Sequence, residues 1–435
     1  MRIAFIGAGS AVFGRRLVTD LMYFPELREG TIALMDLDES RLEVMLAVAN
    51  KIKRDNDLGG LTFEPTTDRR RALDGADYVI ASFEVGSQKC RALDQEIPFK
   101  YGLRVCYSSG TQRVAQTLRQ MPVTIAMCRD MEELCPDALL LQYGNPVPDL
   151  IMGITRATKV KAVGLCHSVQ GTARQIARYV GVPFEELDYE CAGINHQAWY
   201  LKLARNGEDL YPRLREAMDT PEIWAKDKVR FELLRYFGFF VTESSPHNAD
   251  YVPYFHTHPE IEAELDVPPF IYRDQWYRGQ ATLEARLRAM VDDPAPARLE
   301  RSNEYGAELI HAIESDTPYR FWGNFVNDGL ITNLPRNTCV EVAALADGGG
   351  LHPCEVGDLP GQVAALNSSF CSAAEFRVQA ALTGDREAAY LGAQLDPLTA
   401  ASVTLPNIRK LVDELIEAEG EFIPQFRPGF QSLCA

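Results

Sequence analysis

Up to about residue 165, short apolar runs rich in β-branched residues alternate with longer stretches that carry apolar positions at helical spacing. The short runs predict strands at Arg2–Ile6, Thr31–Met35, Leu61–Glu64, Tyr78–Ser82, Ala138–Gln142 and Ala162–Leu165. The longer ones predict helices over Val12–Tyr23, Ser40–Arg54, Thr111–Leu134 and Ser168–Val180. Strands separated by helices need a parallel sheet covered on both faces, so the expected class is α/β, doubly wound. After Cys191 the rhythm changes. Alternation over Ala198–Leu203 predicts antiparallel pairing, and helices are expected near Pro221–Phe237, Tyr277–Met290 and Ser302–Glu314. The expected organisation is a first domain over residues 1–190 and an α+β lobe over residues 191–435. Asp292–Pro296 and Ala346–Pro353 read as surface loops, and the chain shows no internal repeat.

Composition narrows the class of partner. The 435 residues carry a formal net charge of −17, which argues against nucleic acid, and no run approaches the length of a membrane span. The N-terminus enters a strand directly, without an export pattern, so a cytoplasmic protein is expected. Ten cysteines at irregular spacing, with no Cys-x-x-Cys pair, fit reduced thiols better than a disulfide framework.

Two constellations carry candidate chemistry. Gly7-Ala8-Gly9-Ser10 follows the first strand and opens a helix, where glycines let a pyrophosphate reach backbone N–H groups. The third glycine of the usual fingerprint is absent, since position 12 is Val, but Asp36 ends the second strand, where a carboxylate binds ribose hydroxyls. This predicts a Rossmann-like site for NAD, with Gly7, Gly9, Ser10 and Asp36 as its residues and Asn145, after the fifth strand, facing the same edge. The second constellation begins with Cys166-His167-Ser168 and continues at Gly193-Ile194-Asn195-His196-Gln197. A thiolate and an imidazole delivered to one sheet edge can hold a divalent ion with open positions for substrate oxygens. Glu243 to Tyr251 then adds a carboxylate, a phenol and the His247 imidazole at one predicted loop-to-helix junction.

These blocks, with Gly144-Asn145-Pro146, Phe239 to Ser245 and Asn327 to Pro335, resemble glycoside hydrolase family 4, the NAD-dependent glycosidases, and within it the α-galactosidase branch. The resemblance covers nearly the whole chain and implies an architecture like that of lactate and malate dehydrogenases. It implies redox-assisted elimination and addition: hydride leaves sugar C3 for NAD, a base removes the C2 proton, the glycosidic oxygen departs from C1, and water and hydride then return. Cys166 and His196 match the family's metal positions, with Mn²⁺ or another divalent cation as the ion. His167 matches the general acid. The base is expected at Asp250, with Tyr251 as the alternative, and Asn145, Asn195 and His247 are expected near substrate. The loop Ser108-Ser109-Gly110-Thr111-Gln112-Arg113 and Gln116 depart from the family pattern, so Arg113 is a candidate clamp for an anionic sugar. The expected substrate is a small unphosphorylated α-glycoside, with an α-uronide as the alternative. A plain NAD-dependent hydroxy-acid or polyol dehydrogenase is the reading from another class, and a homodimer or homotetramer is implied.

Overall fold

Along the first strand Ile3 and Phe5 enter one buried core while Ala4 and Ile6 enter another, so both faces of this strand are covered. Only a central strand of a layered sheet meets that condition. The structure, a computed structural model, describes residues 1–10, 13–106 and 110–434, without the side chains of residues 272–278, 280 and 281. The expected positions of Val12, Ser108 and Ser109 lie outside the described residues.

Among the described residues one twelve-stranded sheet runs through the molecule. Its parallel half consists of β1 (Arg2–Ile6), β2 (Gly30–Met35), β3 (Leu61–Thr66), β4 (Tyr78–Ala81), β5 (Leu139–Gln142) and β6 (Lys161–Gly164). These lie in the order β3-β2-β1-β4-β5-β6, all parallel. The sheet continues through β7 (Asp188–Ile194), β8 (Gln197–Arg205), β9 (Glu208–Asp209), β10 (Tyr319–Val326), β11 (Cys339–Asp347) and β12 (Gly350–Pro353). The β10 strand crosses the seam, pairing antiparallel with β6 through Asn324 and Gly164 and with β11 along its length. Thus the antiparallel half is hydrogen-bonded directly to the parallel half.

Three sequence expectations change. Ala346–Pro353 is no loop: Ala346 pairs with Leu351 and Asp347 with Gly350, because Gly348 and Gly349 supply a tight turn inside a hairpin. The helix expected over Pro221–Phe237 is two helices, Pro221–Trp224 and Lys228–Phe237, separated at Asp227. Asp227 Oδ1 accepts from Arg230 Nε at 2.7 Å and Oδ2 accepts from Gln175 Nε2 at 2.7 Å, which holds the break open. The Gly14–Tyr23 helix supplies the glycine missing from the fingerprint: a Cβ on Gly14 would lie 2.3 Å from the Ala8 carbonyl oxygen and 2.7 Å from the Met45 methyl.

The C-terminal helices Gly361–Thr383, Arg386–Gln394 and Leu405–Glu419 pack back over the helix Thr111–Leu134, sharing its core through Val378, Ala381, Ala389, Ile408 and Val412. An ion network pins them there. Arg119 donates to Asp94 at 2.6 and 3.0 Å and to Glu419 at 3.0 and 3.1 Å, with all three side chains no more than 2% exposed. Arg119→Leu leaves two carboxylates buried without a counter-charge, so it should cost about 3–5 kcal/mol. The check is a denaturant midpoint that falls at unchanged slope; an unmoved midpoint would show the network to be energetically neutral. Among the described residues no helix is long and apolar enough to cross a membrane.

Candidate active site

Ligands of open α/β sheets bind beyond the carboxyl ends of the parallel strands, and the expected site residues converge there. Beyond β1, Gly7 takes φ +85°, and its N–H and that of Ala8 both donate to the Met35 carbonyl at 2.9 Å. A Cβ on Gly7 would lie 2.4 Å from the Ser82 carbonyl oxygen, and one on Gly9 would lie 2.8 Å from Asp36 Oδ2. The turn therefore tolerates only glycine at both places. Asp36 Oδ2 accepts from the Gly9 N–H at 2.9 Å and Oδ1 from the Asp38 N–H at 3.0 Å, so the carboxylate is locked against the glycine turn. Its second lone pairs remain for ribose hydroxyls. Ser10 Oγ accepts from the Phe13 N–H at 3.3 Å, and Asn145, exposed, follows β5 through a cis Asn145–Pro146 bond.

Beyond β6 come Cys166 and His167, with the helix Ser168–Tyr179 starting on them. Burial, followed by Glu341 and Glu243, pushes the Cys166 thiol up. His167 Nδ1 faces Glu304 Oε1 at 3.4 Å. Burial alone would lower the imidazole, but Glu304 outweighs it and raises its pKa. The turn between β7 and β8 consists of Asn195 and His196, because Ile194 pairs with Gln197. His196 sits there at φ +66°, a left-handed conformation that His adopts more readily than most residues. Among the described residues, both side-chain polar atoms of Asn195 and the Nδ1 of His196 are buried without a hydrogen-bond partner. Unmet polar groups at one place are what a ligand site leaves behind.

A metal-competent group closes around His196. One ligand atom each from His196, Glu243 and His247 lies within 4.8 Å of the others. Glu243, at φ +74°, presents Oε2 3.3 Å from His247 Nδ1. Burial works against the carboxylate's charge, yet His247, His196, His167 and Arg230 hold its pKa down at about 2. Burial keeps His196 neutral, at about 3. Two neutral-capable imidazoles, a carboxylate and a nearby thiol form a borderline donor set suited to Mn²⁺ or Zn²⁺. Cys166 lies outside the 4.8 Å group but shares its charge environment through Glu243.

The two candidate bases part company. Asp250 is fully buried, with Oδ1 accepting from the Cys106 N–H at 2.7 Å and facing His256 Nε2 at 3.2 Å. Tyr251 instead faces the metal group: its ring centroid is 6.4 Å from that of His196 and 4.6 Å from that of Phe370, on which it stacks. Its hydroxyl accepts from Arg113 Nη2. The Arg113 guanidinium also lies 4.9 Å above the Tyr251 ring, and Arg113 is only 4% exposed. Burial and the neighbouring Arg377 lower its pKa to about 10.

Sequence reasoning overlooked two acids. Glu304, its side chain inaccessible, orients His167 and sits 3.6 Å from Arg16. Glu341 is fully buried in β11 opposite Gly193, accepts from Asn324 Nδ2 at 3.3 Å, and is pushed up to about 8 by burial. Its signal was present: a lone acid inside the apolar run Cys339-Val340-Glu341-Val342.

The sequence profile of the family 4 glycosyl hydrolases matches residues 2–182, and that of the family 4 glycosyl hydrolase C-terminal domain matches residues 191–399. An alpha-galactosidase of Bacillus subtilis (strain 168) is 38% identical over 432 residues, which cover 98% of this chain and 100% of that protein. An alpha-galactosidase of Rhizobium meliloti (strain 1021) is 34% identical over 441 residues, covering 98% of this chain and 89% of that protein. The 6-phospho-beta glucosidase from Thermotoga maritima, solved with manganese, NAD+ and glucose-6-phosphate, has the same fold, with a TM-score of 0.81 at 21% identity over 97% of this chain and 99% of that one. With both halves matched by one family and full-length relatives above 30% identity, the chain belongs to the family 4 glycosyl hydrolases.

Proposed function

We propose that the chain is an NAD- and divalent-metal-dependent α-glycosidase that cleaves a small unphosphorylated α-galactoside. The observation that carries this reading is the grouping of His196, Glu243 and His247 within 4.8 Å, with Tyr251 beside His196 and with Cys166 and His167 both in the field of Glu243. When bound, NAD would supply a hydride acceptor and the divalent ion would supply Lewis-acid polarisation of sugar oxygens. Gly7, Gly9 and Ser10 admit the pyrophosphate and Asp36 takes the ribose. His196, Glu243 and His247 would hold the ion, with Cys166 as the further candidate ligand. Tyr251 removes the C2 proton, and Arg113 holds its hydroxyl in place. His167, its pKa raised by Glu304 against the effect of burial, delivers a proton to the departing glycosidic oxygen. Asn145 and Asn195 contact the sugar and the nicotinamide side of the site.

The substrate is read as uncharged because Arg113 is spent on Tyr251 and buried. A uronide, the alternative raised by the altered loop, would need that guanidinium to turn away from the base. The test is release of nitrophenol from a nitrophenyl α-galactoside with NADH absorbance followed in the same cuvette. Release should require both NAD and Mn²⁺ and proceed with no net NADH. NADH accumulating in step with turnover would make the chain a dehydrogenase. Assembly into two or four copies, implied by the resemblance, is checked by light scattering of the same preparation.

A further inference from the structure

One residue before Tyr251, the Asp250 carboxylate takes part in a cluster that the glycosidase reaction does not use. Cys106, Asp250 and His256 are all buried, and one ligand atom from each lies within 4.8 Å of the other two. His256 Nε2 stands 3.5 Å from Cys106 Sγ and 3.2 Å from Asp250 Oδ1. A tetrahedral zinc ion bound at its ordinary distances to sulfur, imidazole nitrogen and carboxylate oxygen sets such atoms about 3.3–3.6 Å apart. The two edges that meet at His256 Nε2 fall at or within about 0.1 Å of that span, and the third lies within 4.8 Å.

We propose that Cys106, Asp250 and His256 form a second metal site, of zinc type, that ties the segment leading into the helix Thr111–Leu134 to the segment carrying Tyr251. The alternative is a hydrogen-bonded triad in which Nε2–H donates to Asp250 Oδ1 and the Cys106 thiol faces the Pro268 carbonyl. Nε2 carries at most one proton, yet it faces both Sγ and Oδ1, and Oδ1 already accepts the Cys106 N–H at 2.7 Å. An ion between the three atoms satisfies all of them at once. The other ring nitrogen, His256 Nδ1, faces the carboxylate of Glu262 at 3.8 Å, which is longer than a hydrogen bond, and Glu262 is itself held by Arg104 at 2.7 and 3.1 Å. The Pro268 carbonyl, 3.6 Å from Sγ, borders the cluster on a further side and is the candidate fourth ligand. In the absence of an ion, burial, Asp250 and Glu262 hold the Cys106 thiol well above its usual pKa; a bound cation favours the thiolate instead.

The consequence is positional. Arg113 lies on the helix that follows Cys106, and Tyr251 follows Asp250, so one ion fixes both partners of the Arg113–Tyr251 contact. The site shares no residue with the His196–Glu243–His247 group, so metal bound here is read separately from metal bound there.

The experiment uses the full chain purified from cells grown in minimal medium with cobalt in place of zinc. Cobalt bound by a thiolate absorbs in the near ultraviolet. A Cys166→Ser variant should keep this absorption, and a Cys166→Ser/Cys106→Ser variant should lose it together with one equivalent of metal by elemental analysis. His256→Gln in the Cys166→Ser background, which leaves the thiol in place, should also lose the band while its circular dichroism stays that of the parent. Absence of thiolate-to-cobalt absorption in Cys166→Ser, or equal metal content with and without Cys106, would overturn the site and leave a buried imidazolium bridging Asp250 and Glu262.

Discussion

Tyr251→Phe should lower kcat for an α-galactoside by about 10²–10⁴-fold, the usual contribution of a positioned general base, while substrate KM and NAD affinity stay near those of the parent. The substitution is selective because Phe keeps the ring stacked on Phe370 and facing His196, removing only the hydroxyl that Arg113 holds. Product formed in deuterium oxide should carry deuterium at C2 with the parent and lose that label with Tyr251→Phe. Asp250→Asn is the control. Its carboxylate is fully buried against Cys106 and His256, so the loss should appear in thermal stability with solvent exchange at C2 retained. The reverse pattern, exchange lost with Asp250→Asn and kept with Tyr251→Phe, would return the base to Asp250. Arg113→Met extends the same logic: losing a charged hydrogen bond of about 1.5–3 kcal/mol should lower kcat/KM roughly ten- to a hundredfold for galactoside and galacturonide alike. A drop confined to the galacturonide would make Arg113 an anion clamp.

How much of this was legible in the chain depended on how local each signal is. All six parallel strands were readable to within a residue or two because each is a short apolar run bounded by polar positions, and the helix Thr111–Leu134 was readable to the residue. The strands β10 and β11 were not, since Tyr319–Val326 and Cys339–Asp347 are buried over much of both faces and such runs cannot be told from buried helix by periodicity. In the candidate site, His196 and Cys166 could be named from residue type and from the strand ends that precede them. The role of Glu243 could not, because it depends on a left-handed backbone at φ +74° that aims its carboxylate at two imidazoles from different segments. Arg113 illustrates the opposite failure. Its charge is plain in the sequence, but only the packing of Tyr251 against it shows that it is spent inside the protein.

Glu243 also provides the sharpest test of the proposed metal site. Glu243→Gln preserves shape and hydrogen-bonding reach while removing a full negative charge that faces His196 and His247. Outer partners of metal ligands alone carry about 10–100-fold in metal affinity, and Glu243 stands among the ligand atoms, so Mn²⁺ should bind at least about a hundredfold more weakly. Among the described residues the hydrogen bonds of the Gly7–Asp36 turn do not involve Glu243, so NAD affinity should be unchanged, which separates a lost ligand from a damaged fold. Raising Mn²⁺ should restore part of the activity of Glu243→Gln. It should not restore Tyr251→Phe, whose defect lies in proton removal. Cys166→Ser gives the comparison from the other side of the pocket, where a hard hydroxyl replaces a thiolate and Mn²⁺ binding should again fall. If calorimetric titration finds Glu243→Gln within threefold of the parent for Mn²⁺ while Cys166→Ser binds none, the ion is held by Cys166 and His196 without the carboxylate, and Glu243 serves to orient His247.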